Sequence, residues 1–121
     1  MRVLTLICLF AATAASAQQG LRDSDVRLSK AELTEALSGK VLEFYSNGLA
    51  TYQADGRYDY RYSADGERVP GRYQVKDGSE VCVAFDNGFE RCDFVVQSSG
   101  RLVMVIFNGE RYPVRTISAI D

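Results

Sequence analysis

Residues 42–62 read LEFYSNGLATYQADGRYDYRY, from Leu42 to Tyr62. Two turn dipeptides, Asn47-Gly48 and Asp55-Gly56, divide this stretch into three short runs rich in aromatic residues. Asn-Gly and Asp-Gly favour tight hairpins because such turns need positive φ. Read as two-residue turns, they set Phe44 opposite Thr51, Leu42 opposite Gln53, Leu49 opposite Tyr62, Thr51 opposite Tyr60 and Gln53 opposite Tyr58. Leu42, Phe44, Leu49, Tyr58, Tyr60 and Tyr62 then share one face, and Glu43, Tyr52, Arg57, Asp59 and Arg61 the other. A slip of one residue moves a strand's whole side-chain set across the sheet, so turn and pattern together predict a register.

The same punctuation recurs at Asp65-Gly66, Asp77-Gly78, Asn87-Gly88, Ser99-Gly100 and Asn108-Gly109. Strands bounded by turns at such regular spacing predict a mainly β fold, an antiparallel up-and-down meander of about eight strands, as an open sheet or a small barrel. Around Asn87, a three-residue loop Asp86-Asn87-Gly88 pairs Phe85 with Phe89 and places Cys82 directly opposite Cys92. A non-hydrogen-bonded pair brings Cα atoms to about 4.5 Å, within the range of a disulfide. Closing that loop contributes roughly 2–3 kcal/mol in the chain-entropy treatment. Leu102 to Phe107 is apolar on both faces and predicts a doubly covered strand. Pro113 predicts an edge or strand end, and Pro70-Gly71 a bend or bulge.

Before the strands lies Ser29-Lys30-Ala31-Glu32-Leu33-Thr34-Glu35-Ala36-Leu37-Ser38-Gly39. Ser29 and Glu32 form a capping box, Leu33, Ala36 and Leu37 share a face, and Gly39 supplies a left-handed stop. This predicts one short amphipathic helix, laid on the sheet or across a barrel end. Residues 18–28 are polar and read as a flexible lead-in to a single β domain over 29–121.

The first 17 residues have the order of a secretory signal: Met1-Arg2, an apolar run from Val3 to Ala15, and Ala15-Ser16-Ala17 before the expected cut. The run is shorter than the ~20 residues that span a bilayer. The expected location is therefore periplasmic or secreted, where Cys82 and Cys92 oxidise. With 14 basic and 16 acidic residues intermixed, net −2, there is no footprint for nucleic acid or for an anionic membrane surface.

The chain has no histidine. That excludes a Ser-His-Asp triad, a Cys-His pair and a His-bearing zinc site. No loop has calcium-ligand spacing, so no catalytic residue, metal or cofactor is predicted. Glu80, Asp86, Glu90 and Asp93 gather round the cysteine hairpin, as some of 16 acidic residues will.

Leu37-Ser38-Gly39-Lys40, Gly56-Arg57-Tyr58, Gly71 to Gly78, Val81 to Phe85, Cys92 and Asn108-Gly109 follow a loose order of glycine, aromatic, turn glycine and paired cysteines. In this the chain resembles a group of small exported bacterial proteins of uncharacterised function, the DUF995-like group, with Tyr73 where that group often has tryptophan. The resemblance implies an exported β domain and no catalytic residues.

The seven tyrosines all fall in predicted strands. Tyrosine suits a half-buried pleated surface, and it also stacks on rings and offers a polar handle. The candidate ligand or partner surface is therefore Tyr52, Tyr58, Tyr60 and Tyr62 with Arg57 and Arg61, the arginines being equally suited to cross-strand pairing with Glu43. The expected function is a non-catalytic binding or interaction module, for a small molecule or an envelope protein, as in a lysozyme-inhibitor-like role. A ligand-holding barrel predicts an internal cavity above about 300 Å³. One alternative is a carboxylate-type enzyme on a cell-wall or sugar substrate, needing two carboxylates about 5–9 Å apart in one cleft. Another is a structural or stress-related envelope protein.

Overall fold

A computed structural model describes residues 19–121; the predicted export signal lies outside the described residues. The helix forms as its capping box dictates. Ser29 Oγ accepts from the Glu32 N–H at 3.1 Å, and the Ser29 N–H donates to Glu32 Oε1 at 3.0 Å. Helix α1 runs Lys30–Leu37 and is left through Gly39 at φ 76°. Leu33 and Leu37 on its inner face are fully buried.

A two-residue strand, β1 (Val26–Arg27), precedes the helix. Eight strands follow it: β2 (Lys40–Phe44), β3 (Leu49–Tyr52), β4 (Arg57–Arg61), β5 (Val69–Lys76), β6 (Glu80–Phe85), β7 (Glu90–Ser98), β8 (Arg101–Val105) and β9 (Arg111–Ala119). Each pairs antiparallel with the next, and β9 returns to β2, so the meander closes into a barrel. Helix α1 packs against both β2 and β5 and thereby crosses one end of that barrel. Loops 45–48, 62–68, 86–89 and 106–110 surround the opposite end, the mouth.

The register of the first three strands departs from the sequence expectation. Both turns are three-residue loops. Phe44 N–H donates to Gly48 O at 2.9 Å around Tyr45-Ser46-Asn47, and Gln53 N–H donates to Arg57 O at 2.8 Å around Ala54-Asp55-Gly56. Each loop has one left-handed residue, Asn47 and Gly56. A two-residue type I′ turn needs two. The extra residue sets Leu42 opposite Ala50, Ala50 opposite Tyr60, and Tyr52 opposite Tyr58. Tyr52, expected on the wet face, is consequently a fully buried core residue. Only Ser99-Gly100 makes the tight two-residue turn, with both residues at positive φ.

The cysteine hairpin adopts the expected register, with Cys82 opposite Cys92, Cα atoms 4.0 Å apart and the sulfurs at bonding distance. Val81 and Val83 point into the core, so both cysteines face outward. On β7 this turns Arg91, Asp93 and Val95 inward.

Residues 19–28, expected to be a flexible lead-in, are instead a strap across the outside of β7 and β8. β1 pairs with the end of β7. Arg111 holds Asp25 with two hydrogen bonds of 2.7 and 2.8 Å and donates to Gly20 O at 2.8 Å. Leu28 N–H donates to the buried Ser79 Oγ at 2.7 Å, and that hydroxyl donates to Val95 O at 2.5 Å. Leu21 lies on Val96, Val103 and Val105, which is why β8 is apolar on both faces.

Pro113 marks an exchange of partners within a strand. Before it β9 pairs with β8; beyond it β9 pairs with β2, with Arg115 bulged out. Arg101 donates to the Val114 carbonyl at 2.8 Å where β8 and β9 part. The pairings of β5 run through Pro70-Gly71 with no shift, so no bulge forms there. Gly71 serves close approach: a Cβ on it would lie 2.6 Å from Ala84 O.

Candidate functional site

Inward-facing tyrosines of β3 and β4, continued by Tyr62 just beyond β4, form a column from the sealed base to the mouth. Tyr52 is fully buried, Tyr58 nearly so, Tyr60 half-buried, and Tyr62 stands exposed on the rim. The Tyr52 and Tyr58 ring centroids are 5.1 Å apart, those of Tyr60 and Tyr62 also 5.1 Å, with Phe85 5.9 Å from Tyr58. These are spacings of tilted and edge-to-face aromatic contact. Burial raises the phenol pKa of Tyr52, Tyr58 and Tyr60 above the ordinary value, so all three stay protonated.

Four of the six residues expected to form a surface thus lie in one column. Arg57 and Arg61 do not join it, because they alternate with the tyrosines and face outward. Arg57 pairs with Asp55 at 2.8 Å, and Arg61 donates to Ala64 O at 3.2 Å. Glu43, their expected cross-strand partner, is held by Arg115 at 2.6 Å instead.

Two residues that sequence reasoning did not place here sit beneath the mouth. Arg91 Nε lies 2.8 Å from Asp93 Oδ2. The Nε–H is poorly aligned, and neither it nor Asp93 Oδ1 has a hydrogen-bond partner. Charge rather than a well-aimed hydrogen bond therefore holds the pair. Asp93 is 1 % exposed and Arg91 27 %. The signal was in the cysteine hairpin: once Cys92 faces out, the residues on either side of it face in.

Burial pushes the Asp93 carboxyl above its ordinary pKa, with Arg91 pulling it partly back. A raised acid binds more protons folded than unfolded, so its contribution to stability falls as pH rises from about 3.8 through the folded pKa. Against Asp93→Asn, wild type loses relative stability over that window by up to ~1.4 kcal/mol per pH unit. Urea unfolding of both proteins between acid and neutral pH measures this; a constant difference would contradict it.

Arg91 lines two adjoining hollows in the mouth. One, of about 260 Å³, is bounded by Phe44, Tyr60, Tyr62, Met104 and Tyr112. The other, of about 140 Å³, is bounded by Tyr60, Tyr62, Phe85 and Phe89. Each is smaller than the cavity expected of a ligand-holding barrel, but they share Tyr60, Tyr62 and Arg91. Larger open grooves of about 540 and 480 Å³ lie over the β8–β9 seam and over the disulfide. None of these four hollows is lined by two carboxylates. Glu80 approaches the two cysteine sulfurs, which are bonded to each other and offer no thiolate. Among the described residues no helix is long and apolar enough to cross a membrane.

No family model, no curated protein and no solved structure matches the chain.

Proposed function

We propose that the protein is an exported, non-catalytic binding module that holds a small ring-bearing molecule in the open end of its barrel. The observation that carries this reading is the asymmetry of the interior. Leu33 and Leu37 plug one end, while aromatic rings and a single charged side chain, Arg91, line the hollows at the other. Pockets that bind small molecules combine apolar and aromatic walls with a few placed polar groups. Export is supported by the N-terminal 17 residues and by a cysteine pair suited to an oxidising compartment.

A second reading is favoured by the rim. Tyr62, Phe89 and Phe107 stand 76, 59 and 78 % exposed on three of the four mouth loops. Exposed aromatic side chains of this kind anchor protein interfaces, so an envelope protein is the alternative occupant of the same end.

Native mass spectrometry of the protein purified from its own compartment, before and after denaturation, tests the first reading. The expected result is a small-molecule mass excess that disappears on denaturation. A bare mass, with Tyr60 and Tyr62 ring resonances unmoved by a small-molecule extract of that compartment, would overturn it and direct attention to the rim.

A further inference from the structure

We infer that the mouth selects a planar ring carrying a carboxylate, with the Arg91 guanidinium taking the carboxylate and the tyrosine rings taking the ring. This rests on the binding reading above and specifies its ligand class.

The inference starts from the charge inventory of the mouth. Arg91 is the only ionic side chain lining either hollow, and it lines both. Its Nε lies 2.8 Å from Asp93 Oδ2 below, a charge contact that holds this side of the guanidinium toward the interior. A guanidinium offers five donors in a geometry that matches a carboxylate's two oxygens, so its remaining edge suits an acceptor pair arriving from the mouth. The phenol of Tyr112, which reaches the larger hollow from β9, donates to Glu110 and is engaged. No carboxylate lines either hollow; the one that pairs with Arg91, Asp93, meets it at Nε from below.

The remaining walls suit a flat ring. Tyr60 and Tyr62 meet nearly at right angles, 88° between planes, and form a corner open to the hollow. Phe85 and Phe89 stack on each other at 28° with centroids 6.1 Å apart, and both line the smaller hollow. A volume of about 260 Å³ matches that of roughly nine water molecules at ~30 Å³ each. One or two fused rings fit.

The selection is short-ranged. Asp93 already offsets the Arg91 charge, and Glu90 and Glu110 flank the mouth. Attraction at a distance is therefore weak, and recognition comes from fork geometry on contact.

The probes are 2-naphthoate and its uncharged counterpart 2-naphthol, titrated into the disulfide-bonded protein by calorimetry. Ring resonances of Tyr60, Tyr62 and Tyr112 report where each one binds. The expected result is that 2-naphthoate binds about tenfold or more tightly than 2-naphthol, the usual range for a charge-assisted bidentate contact. The neutral double variant Arg91→Met/Asp93→Asn, which leaves no buried charge unpaired, should abolish the preference while still binding 2-naphthol. Arg91→Lys, which keeps the charge and loses the fork, should retain only part of it. Equal binding of both probes at the mouth overturns carboxylate selection and leaves the binding reading intact. Failure of both probes to move the mouth tyrosines overturns the two together.

Discussion

Replacing Leu37 with alanine is expected to lower the unfolding free energy by about 2–5 kcal/mol, the range for removing a buried leucine side chain. Leu37 and Leu33 are fully buried, yet both lie on a helix of only eight residues. Such a helix has little stability of its own and is held in place by its packing. Its two leucines in turn close the barrel base, where they join one core with Leu42, Tyr52, Val75 and Val95. Truncating one of them leaves a void against strands that cannot collapse inward, because their backbones are fixed by pairing on both sides. Urea unfolding followed by near-ultraviolet tyrosine circular dichroism measures the loss. A change below ~1 kcal/mol would show that the helix lies on the barrel without plugging it.

The second large effect is expected from Arg111→Ala. Asp25 is 3 % exposed in its side chain and Arg111 13 %, and they are joined by paired hydrogen bonds. Removing one partner of a buried pair costs about 3–5 kcal/mol when the other stays buried. Here the strap has another course: it can peel off, carry Asp25 into water and expose Val96, Val103 and Val105. Hydrogen exchange separates the two. The Leu28 N–H, which donates to Ser79, should lose protection ahead of the β-barrel amides. Wild-type protection at Leu28 in the variant would mean the ion pair is not what holds the strap. Arg111 also keeps the Asp25 carboxyl below its ordinary pKa. The contribution of this pair is thus fully present above the ordinary carboxylate range and declines as pH falls through the lowered folded value. Acid should weaken the strap before it weakens the barrel.

Much of the architecture is legible in the sequence. Asn-Gly and Asp-Gly punctuation delivered the meander, and Ser29 with Glu32 delivered the helix start. The register of β2 to β4 was not, because Asn47-Gly48 and Asp55-Gly56 suit two-residue and three-residue loops alike. Leu49-Ala50-Thr51-Tyr52 is too evenly apolar to choose between them, and the charged residues of β4 face outward either way. The cysteine hairpin was readable because a second constraint, the facing pair of sulfurs, removed that freedom. Its further meaning, that Arg91 and Asp93 must then enter the barrel, follows from simple alternation and points to the mouth. The strap was invisible for a different reason. Nothing periodic marks residues 19–28, and their main anchor is an ion pair to Arg111, far along the chain.

The ring is closed by its two outermost long strands, with Lys40 opposite Ala119 and the Ile120 N–H donating to Gly39 O at 3.0 Å. A chain emerging in order from amino to carboxyl end can form every hairpin as it appears, but it cannot shut the barrel until β9 arrives. Until then β2 offers an unpaired edge, the kind that recruits stray strands. Closure joins the first and last strands of the ring, far apart in sequence, the slow class of folding event. A chain of this design commits to its final form only once β9 has been made and has found β2.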